Sequence, residues 1–274
     1  MDTPIKNLIL DMDGVLWRGM TPMPGLVDFF NDLDTAGIGF VLATNNATKT
    51  AVMYSEKLSR FGVTVPPAQI LTSAEATAAY LAEQYEPGAP MYVVGAQGLH
   101  DAMLEQGFQI VTPIDARAGI KTAAVVAGMS SNVTYEDLAM ASLLVSRGVP
   151  FFGTNPDVSF PTEIGPLPGA GAFLAVITTA TGVEPTIIGK PGPILFHEAV
   201  KRLGGDAAGV VMVGDRLSTD IYGAKAAGLR AILLLSGIST REEAEAGPVQ
   251  PDYIFADITE LASFLTREAV VAKA

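Results

Sequence analysis

Short apolar runs alternate with helical stretches from the start of the chain. Residues 6–10 predict a strand, and residues 24–36 predict a helix with apolar side chains along one face. Residues 39–43 then predict a second strand, and residues 49–61 a second helix. Because these strands are apolar throughout rather than alternating, they favour a parallel sheet that is covered on both faces.

The same alternation returns later in the chain. Strands are predicted at 186–189, 210–214, 230–235 and 253–255, with helices at 193–203, 218–227 and 257–267. A separate series lies between, with strands predicted at 91–94, 108–111, 123–127 and 150–152 and a helix at 134–146. We therefore expect an α/β fold, with a Rossmann-like three-layer core of residues 1–79 and 184–274 and a smaller inserted α/β domain of residues 80–183.

Composition narrows the range of partners. The chain has 274 residues, a formal net charge of −12 and no cysteine. An acidic surface repels polyanions, so we expect neither nucleic acid nor an anionic membrane as a partner. The absence of cysteine excludes disulfides and thiolate zinc sites. No apolar run approaches the ~20 residues of a membrane span, and no signal peptide is evident, so we expect a cytoplasmic protein.

Chemistry-bearing residues follow the predicted core strands at their carboxyl ends, where open α/β sheets form their ligand crevice. They are Asp11 and Asp13 after the first strand, Thr44, Asn45 and Asn46 after the second, Lys190 after the strand at 186–189, and Asp215 and Asp220 after the strand at 210–214.

This combination of residue types favours a phosphoryl site. The excess of carboxylates, with no imidazole or thiolate beside them in sequence, suits a hard cation such as Mg²⁺. Lys190 supplies a positive charge, Thr44 a hydroxyl, and the backbone amides of Asn45 and Asn46 can cradle an oxyanion. A carboxylate can attack phosphorus, and a second one can move the proton.

Structural interpretations stand beside each of these assignments. An Asp-Gly pair often only forms a turn. Lys190, between glycine and proline, could be a surface lysine. Asp220 could cap the helix predicted to begin near 218, and Thr44 could cap the helix that follows it. The histidines, His100 and His197, are expected to be surface or packing residues.

Taken together, the motifs resemble those of the haloacid dehalogenase superfamily, in its phosphatase branch. The stretches DMDGVLWRG, ATNNA, GTNPD, LPGAG, GKP and VGDRLSTDI are similar to the subfamily of nagD-like phosphatases and 4-nitrophenylphosphatases. In that subfamily a large C2-type cap is inserted between the second and third motifs. The resemblance covers nearly the whole chain, and it implies that the inserted domain is this cap.

The resemblance also implies roles for the acidic residues. Asp11 is expected to be the nucleophile and a Mg²⁺ ligand, and Asp13 the general acid and base whose backbone carbonyl also binds Mg²⁺. Asp215 is expected to bind the metal directly, and Asp220 to hold a metal-bound water. Residues 17–19, Trp-Arg-Gly, look exposed and are expected to lie in a flap beside the site.

The remaining roles concern the phosphoryl group and the substrate. Thr44 and the amides of Asn45 and Asn46 are expected to bind phosphoryl oxygens. Lys190 is expected to offset the charge on the nucleophile and the phosphate. Phe160 is expected to lie where relatives contact the leaving group.

The sequence thus predicts a Mg²⁺-dependent phosphatase that hydrolyses small phosphomonoesters, such as nucleotide, sugar or aryl phosphates, through an aspartyl-phosphate. A phosphotransferase or mutase on the same fold, and a non-catalytic metabolite-binding protein, remain the alternatives. A homodimer formed through the cap is also expected.

Overall fold

The computed structural model describes residues 3–162 and 164–273, which fold into two compact units. Unit one lies within Met1–Thr44, Ala51–Leu71 and Pro191–Ala274, and unit two lies within Asn45–Thr50 and Thr72–Lys190. The chain therefore leaves unit one twice and returns to it twice. Among the described residues, no helix has both the length and the apolar character that crossing a membrane requires.

The strands are β1 (Asn7–Leu10), β2 (Trp17–Arg18), β3 (Thr21–Pro22), β4 (Gly39–Thr44), β5 (Ile70–Thr72), β6 (Pro90–Val94), β7 (Gln109–Val111), β8 (Ala124–Ala127), β9 (Phe151–Gly153), β10 (Ser159–Thr162), β11 (Gly165–Pro168), β12 (Thr186–Ile187), β13 (Val210–Gly214), β14 (Arg230–Leu234) and β15 (Tyr253–Phe255).

The α-helices are α1 (Leu26–Ala36), α2 (Ala51–Arg60), α3 (Ser73–Ala82), α4 (Gln97–Glu105), α5 (Pro113–Arg117), α6 (Tyr135–Ser146), α7 (Ala170–Thr181), α8 (Pro193–Arg202), α9 (Tyr222–Ala226), α10 (Arg241–Ala246) and α11 (Ile258–Lys273).

Unit one is built on a sheet with the strand order β15-β14-β13-β1-β4-β5. The strand β1 lies in the middle and pairs in parallel with β13 and β4, in the registers Leu10↔Val213 and Leu10↔Leu42. The β1 residues Leu8, Ile9 and Leu10 are completely buried. Burial on both faces explains why this strand has no alternating polar positions.

Unit two has its own parallel sheet, with the order β12-β9-β8-β6-β7. The strands β10 and β11 form a separate antiparallel hairpin in the register Phe160↔Leu167. The helix α6 begins with the expected capping box, in which Thr134 and Asp137 bond to each other's backbone amides.

The predicted fold class, a parallel α/β core with a smaller inserted α/β cap, is confirmed, and most strand bounds agree within a residue or two. The strand before Lys190 was expected in the core sheet, and this is wrong. It is β12, and it pairs with β9 at the edge of the sheet of unit two, through Thr186↔Phe152. The cap boundaries at residues 80 and 183 stay a prediction.

Candidate active site

Backbone pairing in unit one places Asp11 at the end of the central strand. The amide of Asp11 donates a 2.9 Å hydrogen bond to the carbonyl oxygen of Val213, which continues the β1–β13 ladder by one residue. Since the two strands run in parallel, they deliver Asp11 and Asp215 to the same edge of the sheet. Asp11 is 9% exposed and Asp215 is 4% exposed.

Three carboxylates meet at this edge. One oxygen from each of Asp11, Asp215 and Asp220 lies within 4.8 Å of the others. Backbone amides hold two of these side chains, because Ile238 N–H donates to Asp215 Oδ2 at 3.0 Å and Arg216 N–H donates to Asp220 Oδ2 at 3.1 Å. Three buried carboxylates this close repel one another unless a cation lies between them. An all-oxygen donor set suits a hard divalent ion such as Mg²⁺.

Glycines leave room for the cluster. Gly14 has φ of +86°, and a Cβ atom there would overlap Asp215 Oδ2. A Cβ atom on Gly237 would overlap the same carboxylate, and one on Gly214 would overlap the side chain of Asp220. The glycine of the Asp-Met-Asp-Gly stretch is therefore required both by its backbone conformation and by the space that Asp215 occupies.

Asp13 is exposed and does not belong to the three-carboxylate cluster. Its Oδ1 accepts a 2.7 Å hydrogen bond from the indole Nε1 of Trp17. The expectation that residue 17 is exposed is wrong, because Trp17 is completely buried. Its ring stacks on Tyr54 with a centroid separation of 6.3 Å and an interplanar angle of 17°.

Tyr54 lies beside both motif aspartates and Thr44. Burial raises the pKa of the Tyr54 hydroxyl far above its usual range, and the charge of Asp13 adds to this shift. A hydrogen bond with the Thr44 side chain works in the opposite direction, while Asp11 contributes a further increase. The phenol is therefore neutral, and it connects the buried Thr44 at the end of β4 to α2.

In unit two, the side chain of Asn45 makes hydrogen bonds with both the backbone N–H and the backbone carbonyl of Lys190. Asn45 Oδ1 accepts from Lys190 N–H at 2.7 Å, and Asn45 Nδ2 donates to the Lys190 carbonyl at 2.8 Å. The same Nδ2 also donates to Asp157 Oδ2 at 3.1 Å. Lys190 is only 2% exposed, so the surface-lysine interpretation is wrong.

The backbone of Asn45 is held as firmly as its side chain. The carbonyl oxygen of Asn45 accepts from Asn155 Nδ2 at 2.7 Å and from Ser73 Oγ at 2.5 Å. Asn46 Oδ1 accepts from both the amide and the hydroxyl of Thr48, at 2.8 and 2.7 Å. The backbone amides of this loop are the ones predicted to bind phosphate, and the side chains of Asn45 and Asn46 stabilise the loop itself.

Family models match at both ends of the chain. Residues 8–109 match the haloacid dehalogenase-like hydrolase model, and residues 187–261 match a second model of HAD-hydrolase-like proteins. An acid sugar phosphatase of Staphylococcus aureus is 41% identical over 255 residues, which cover 93% of this chain and 96% of that protein.

The chain belongs to the haloacid dehalogenase-like hydrolase family.

Solved structures of similar proteins agree with this membership. The p-nitrophenyl phosphatase from Archaeoglobus fulgidus matches this haloacid dehalogenase-like hydrolase with a TM-score of 0.87 at 32% identity, over 96% of this chain and 100% of that one. The glycerol phosphate phosphatase from Mycobacterium tuberculosis, solved in complex with magnesium, has a TM-score of 0.86 at 36% identity, over 96% of this chain and 79% of that one. The predicted superfamily, subfamily and phosphatase class are confirmed.

Two further structural interpretations are wrong for this hydrolase. Thr44 does not cap the helix after it, because β4 ends at Thr44 and α2 begins only at Ala51. Asp220 does not cap a helix that begins near residue 218, because it lies inside a π-helical turn, Leu217–Ile221, that precedes α9. Its carboxylate instead accepts from the Arg216 amide and faces the acidic cluster.

Of the other residues singled out in the sequence, Phe160 and His100 lie in unit two, and His197 lies in unit one. Phe160 is partly buried on β10. His197 is exposed on α8 of unit one. His100 is partly buried on α4, beside a cavity of about 480 Å³ confined to unit two, and none of the predicted site residues lines that cavity. The roles of Phe160, Lys190 and the two asparagines in catalysis stay predictions.

Sequence reasoning missed Tyr54 and the contact of Trp17 with Asp13. Tyr54 follows the second motif by ten residues in a helix whose pattern indicates only packing. Its one signal is a polar group on an otherwise apolar helix face, together with Ala51 and Leu58, which are also buried. Ser73 was likewise missed. Asn155 lies in the GTNPD stretch noted in the sequence, but its hydrogen bond to Asn45 was not foreseen, because nothing local marks either residue as a partner of Asn45.

Proposed function

We propose that the chain is a Mg²⁺-dependent phosphomonoesterase that hydrolyses small phosphorylated metabolites through an aspartyl-phosphate on Asp11. The observation that carries this proposal is the convergence of Asp11, Asp215 and Asp220, whose oxygens lie within 4.8 Å of one another. Asp13, two residues from the nucleophile, is exposed and fixed by Trp17, as a proton-transfer group requires.

In the first step, a carboxylate oxygen of Asp11 attacks phosphorus. The ester P–O bond breaks, and the leaving oxygen takes the proton carried by Asp13. In the second step, Asp13 takes a proton from water while the water oxygen attacks phosphorus. The bond between phosphorus and Asp11 then breaks, which releases inorganic phosphate and restores both carboxyl groups.

The other residues of the proposed site stabilise the negative charge of the phosphoryl group. A Mg²⁺ ion held by Asp11, Asp215 and the carbonyl oxygen of Asp13, with Asp220 holding a metal-bound water, would offset the negative charge of the phosphoryl group. Lys190 contributes a second positive charge. The Thr44 hydroxyl and the amides of Asn45 and Asn46 donate to phosphoryl oxygens.

For the substrate, we infer sugar and polyol phosphates first, and aryl and nucleotide phosphates after them. The names of the relatives, an acid sugar phosphatase, a p-nitrophenyl phosphatase and a glycerol phosphate phosphatase, support small monoesters. We also propose that residues 80–183 act as the cap and that Phe160 contacts the leaving group. Homodimerisation through this cap stays a prediction, which light scattering tests.

The decisive experiment is a panel of phosphate esters assayed for phosphate release in the presence of Mg²⁺, with Asp11→Asn as the matched blank. Asn has the same shape as Asp but cannot attack phosphorus. We expect release by the wild type from several sugar, polyol and aryl esters and none by Asp11→Asn, with both proteins equally folded by circular dichroism. No release above the blank from any ester would contradict the proposal.

A further inference from the structure

The indole of Trp17 connects a rigid aromatic group to the exposed carboxylate of Asp13. A buried indole N–H requires an acceptor, because leaving it without one is costly. Here the acceptor is Asp13 Oδ1, at 2.7 Å. The pairing is unequal, since Trp17 is completely buried whereas Asp13 is exposed. An exposed aspartate ordinarily samples several rotamers, and this hydrogen bond selects one of them.

Helix α2 fixes the indole from the far side. Tyr54 stacks on the ring, Phe61 packs against it with centroids 6.1 Å apart, and Lys57 Nζ lies 4.0 Å from the ring centroid. All three side chains come from α2 or from the residue just after it. The ring therefore cannot follow a moving carboxylate, so the carboxylate must conform to the ring.

The backbone between the two residues is closed as well. Gly14 N–H donates to the Trp17 carbonyl at 2.8 Å, and Trp17 N–H donates to the Met12 carbonyl at 3.4 Å. Ser236 Oγ donates to the Gly14 carbonyl at 2.9 Å, which ties the turn to the loop after β14. Asp13 thus projects from a closed turn with one carboxylate oxygen already engaged.

We propose that Trp17 is a positioning residue for proton transfer. It holds Oδ1 of Asp13 so that Oδ2 is the oxygen that gives its proton to the leaving group and later takes one from water. This inference rests on the proposed phosphatase function and deepens it. Positioning matters most where the leaving group needs the proton, as an alkoxide does and 4-nitrophenolate does not.

The test compares an alkyl phosphate, glycerol phosphate, with 4-nitrophenyl phosphate, using kcat/KM, which reports on formation of the phosphoenzyme. Trp17→Phe keeps an aromatic ring but removes the N–H. We expect kcat/KM for glycerol phosphate to fall about 10–100-fold and that for 4-nitrophenyl phosphate to fall less than about threefold. If Trp17→Phe does not fold, 3-benzothienylalanine at position 17 keeps the ring shape and replaces N–H by sulfur.

Phe30→Leu is the matched control, because it alters aromatic packing against Phe29 and Phe40 in the same unit while leaving the indole of Trp17 and its N–H in place. The ratio of its kcat/KM values for glycerol phosphate and 4-nitrophenyl phosphate should equal that of the wild type. Equal losses on both substrates in the N–H-deficient variants indicate a merely structural tryptophan and overturn the positioning role alone. A wild type that releases phosphate from no ester of the panel overturns the proposed function, and the positioning role falls with it.

A spectroscopic measurement tests the contact without turnover. Trp17 is the one tryptophan of the chain, so the ¹⁵N-labelled protein has a single indole N–H resonance. A carboxylate acceptor makes a stronger hydrogen bond than an amide. We expect Asp13→Asn to shift the indole proton upfield, and an unchanged resonance would show that the bond is absent in solution.

Discussion

Gly14 and Asp215 occupy adjoining space, so that a single methyl group on Gly14 would overlap the Asp215 carboxylate. The two residues lie far apart in the chain, yet Asp215 fits beside the Asp11–Gly14 stretch only because residue 14 has no side chain. The same carboxylate also excludes a side chain at Gly237. Asp215 is thus packed against backbone on two sides, and its position is set by space as well as by its bond from Ile238 N–H.

Gly14→Ala should therefore disable the site. The φ of +86° penalises a Cβ atom, by about 1 kcal/mol or more, and the overlap displaces Asp215 in addition. We expect kcat/KM to fall at least about 100-fold, because Asp215, the proposed metal ligand, and the turn that carries Asp13 both move. Steady-state kinetics and calorimetric Mg²⁺ titration check this.

Gly19→Ala is the matched control, since Gly19 also has a positive φ, of +58°, but a Cβ atom there meets nothing within 4 Å. It should lower stability by a similar conformational amount and leave Mg²⁺ affinity nearly unchanged. Equal effects of the two variants on Mg²⁺ binding would show that the overlap with Asp215 is unimportant.

Removal of divalent ions should abolish turnover and lower thermal stability together. Three carboxylates within 4.8 Å repel one another, and binding of a cation to the folded state alone stabilises it. At a Mg²⁺ concentration about 100 times the Kd, the expected gain is about 2.7 kcal/mol. Thermal unfolding with EDTA and with added Mg²⁺ measures this gain.

Asp215→Asn gives the complementary result. With one charge fewer in the cluster, the metal-free variant should unfold at a temperature equal to or above that of the metal-free wild type, whereas Mg²⁺ should no longer raise it. A Mg²⁺-induced rise of wild-type size in this variant would mean that the ion binds elsewhere.

Asn45→Asp should damage unit two much more than Asn46→Asp. At position 45 the new oxygen would face the Lys190 carbonyl and Asp157 Oδ2, both of which accept hydrogen bonds from the native amide group. An oxygen that faces two other acceptor oxygens makes no hydrogen bond with them. We expect this to lower the free energy of unfolding by about 1–3 kcal/mol, and by more when the new oxygen is charged. Thermal or urea unfolding measures the loss.

The bonds that hold Asn46 provide the contrast. Asn46 Oδ1 is an acceptor from Thr48, and aspartate keeps that acceptor. The stability of Asn46→Asp should therefore lie much closer to that of the wild type. Similar losses in both variants would contradict the assigned orientation of the Asn45 amide.

Tyr54 should make the stability of unit one sensitive to alkaline pH. The pKa of Tyr54 in the folded state is raised, chiefly by burial and then by the charge of Asp13. In the unfolded chain, tyrosine ionises at about pH 10. The contribution of the neutral phenol is therefore complete below about pH 10 and is lost as the pH rises above it. The advantage of wild type over Tyr54→Phe should shrink by about 1 kcal/mol between about pH 10 and 11.

Urea unfolding across this pH range measures the effect. Tyr135→Phe is the control, because Tyr135 is 88% exposed and lacks the burial on which the argument rests. Parallel pH curves for the wild type and Tyr54→Phe would exclude an effect of Tyr54 ionisation.

The strands could be predicted from the sequence because apolar runs of four or five residues end abruptly at charged or polar positions. β13 at Val210–Gly214 and β15 at Tyr253–Phe255 were predicted with their observed bounds. Helices whose first turn mixes apolar and polar residues or contains glycine have no such abrupt boundary, so their start could not be predicted from the sequence. α7, for example, begins at Ala170 between two glycines, whose lack of side chains lets the helix approach the backbone of Pro156 and Asp157.

In the site, the sequence predicted which carboxylates converge but not how the side chains are supported. Asp11 and Asp215 follow paired strands, so topology alone brings them together. The burial of Trp17 depends on contacts with α2, more than thirty residues later, and the turn around Asp220 is π-helical rather than α-helical. Such long-range packing leaves no periodic signal in the local sequence.

The pairing of β1 with β13 has a consequence for how the protein is made. Asn7 of β1 pairs with Val210 of β13, so β1 leaves the ribosome long before its partner. Until β13 emerges, one edge of the central strand stays open and Asp11 lacks Asp215 beside it. The nascent chain therefore cannot bring the three clustered carboxylates together until β13 and the turn after it have been made, so assembly of the acidic cluster coincides with closure of the central sheet.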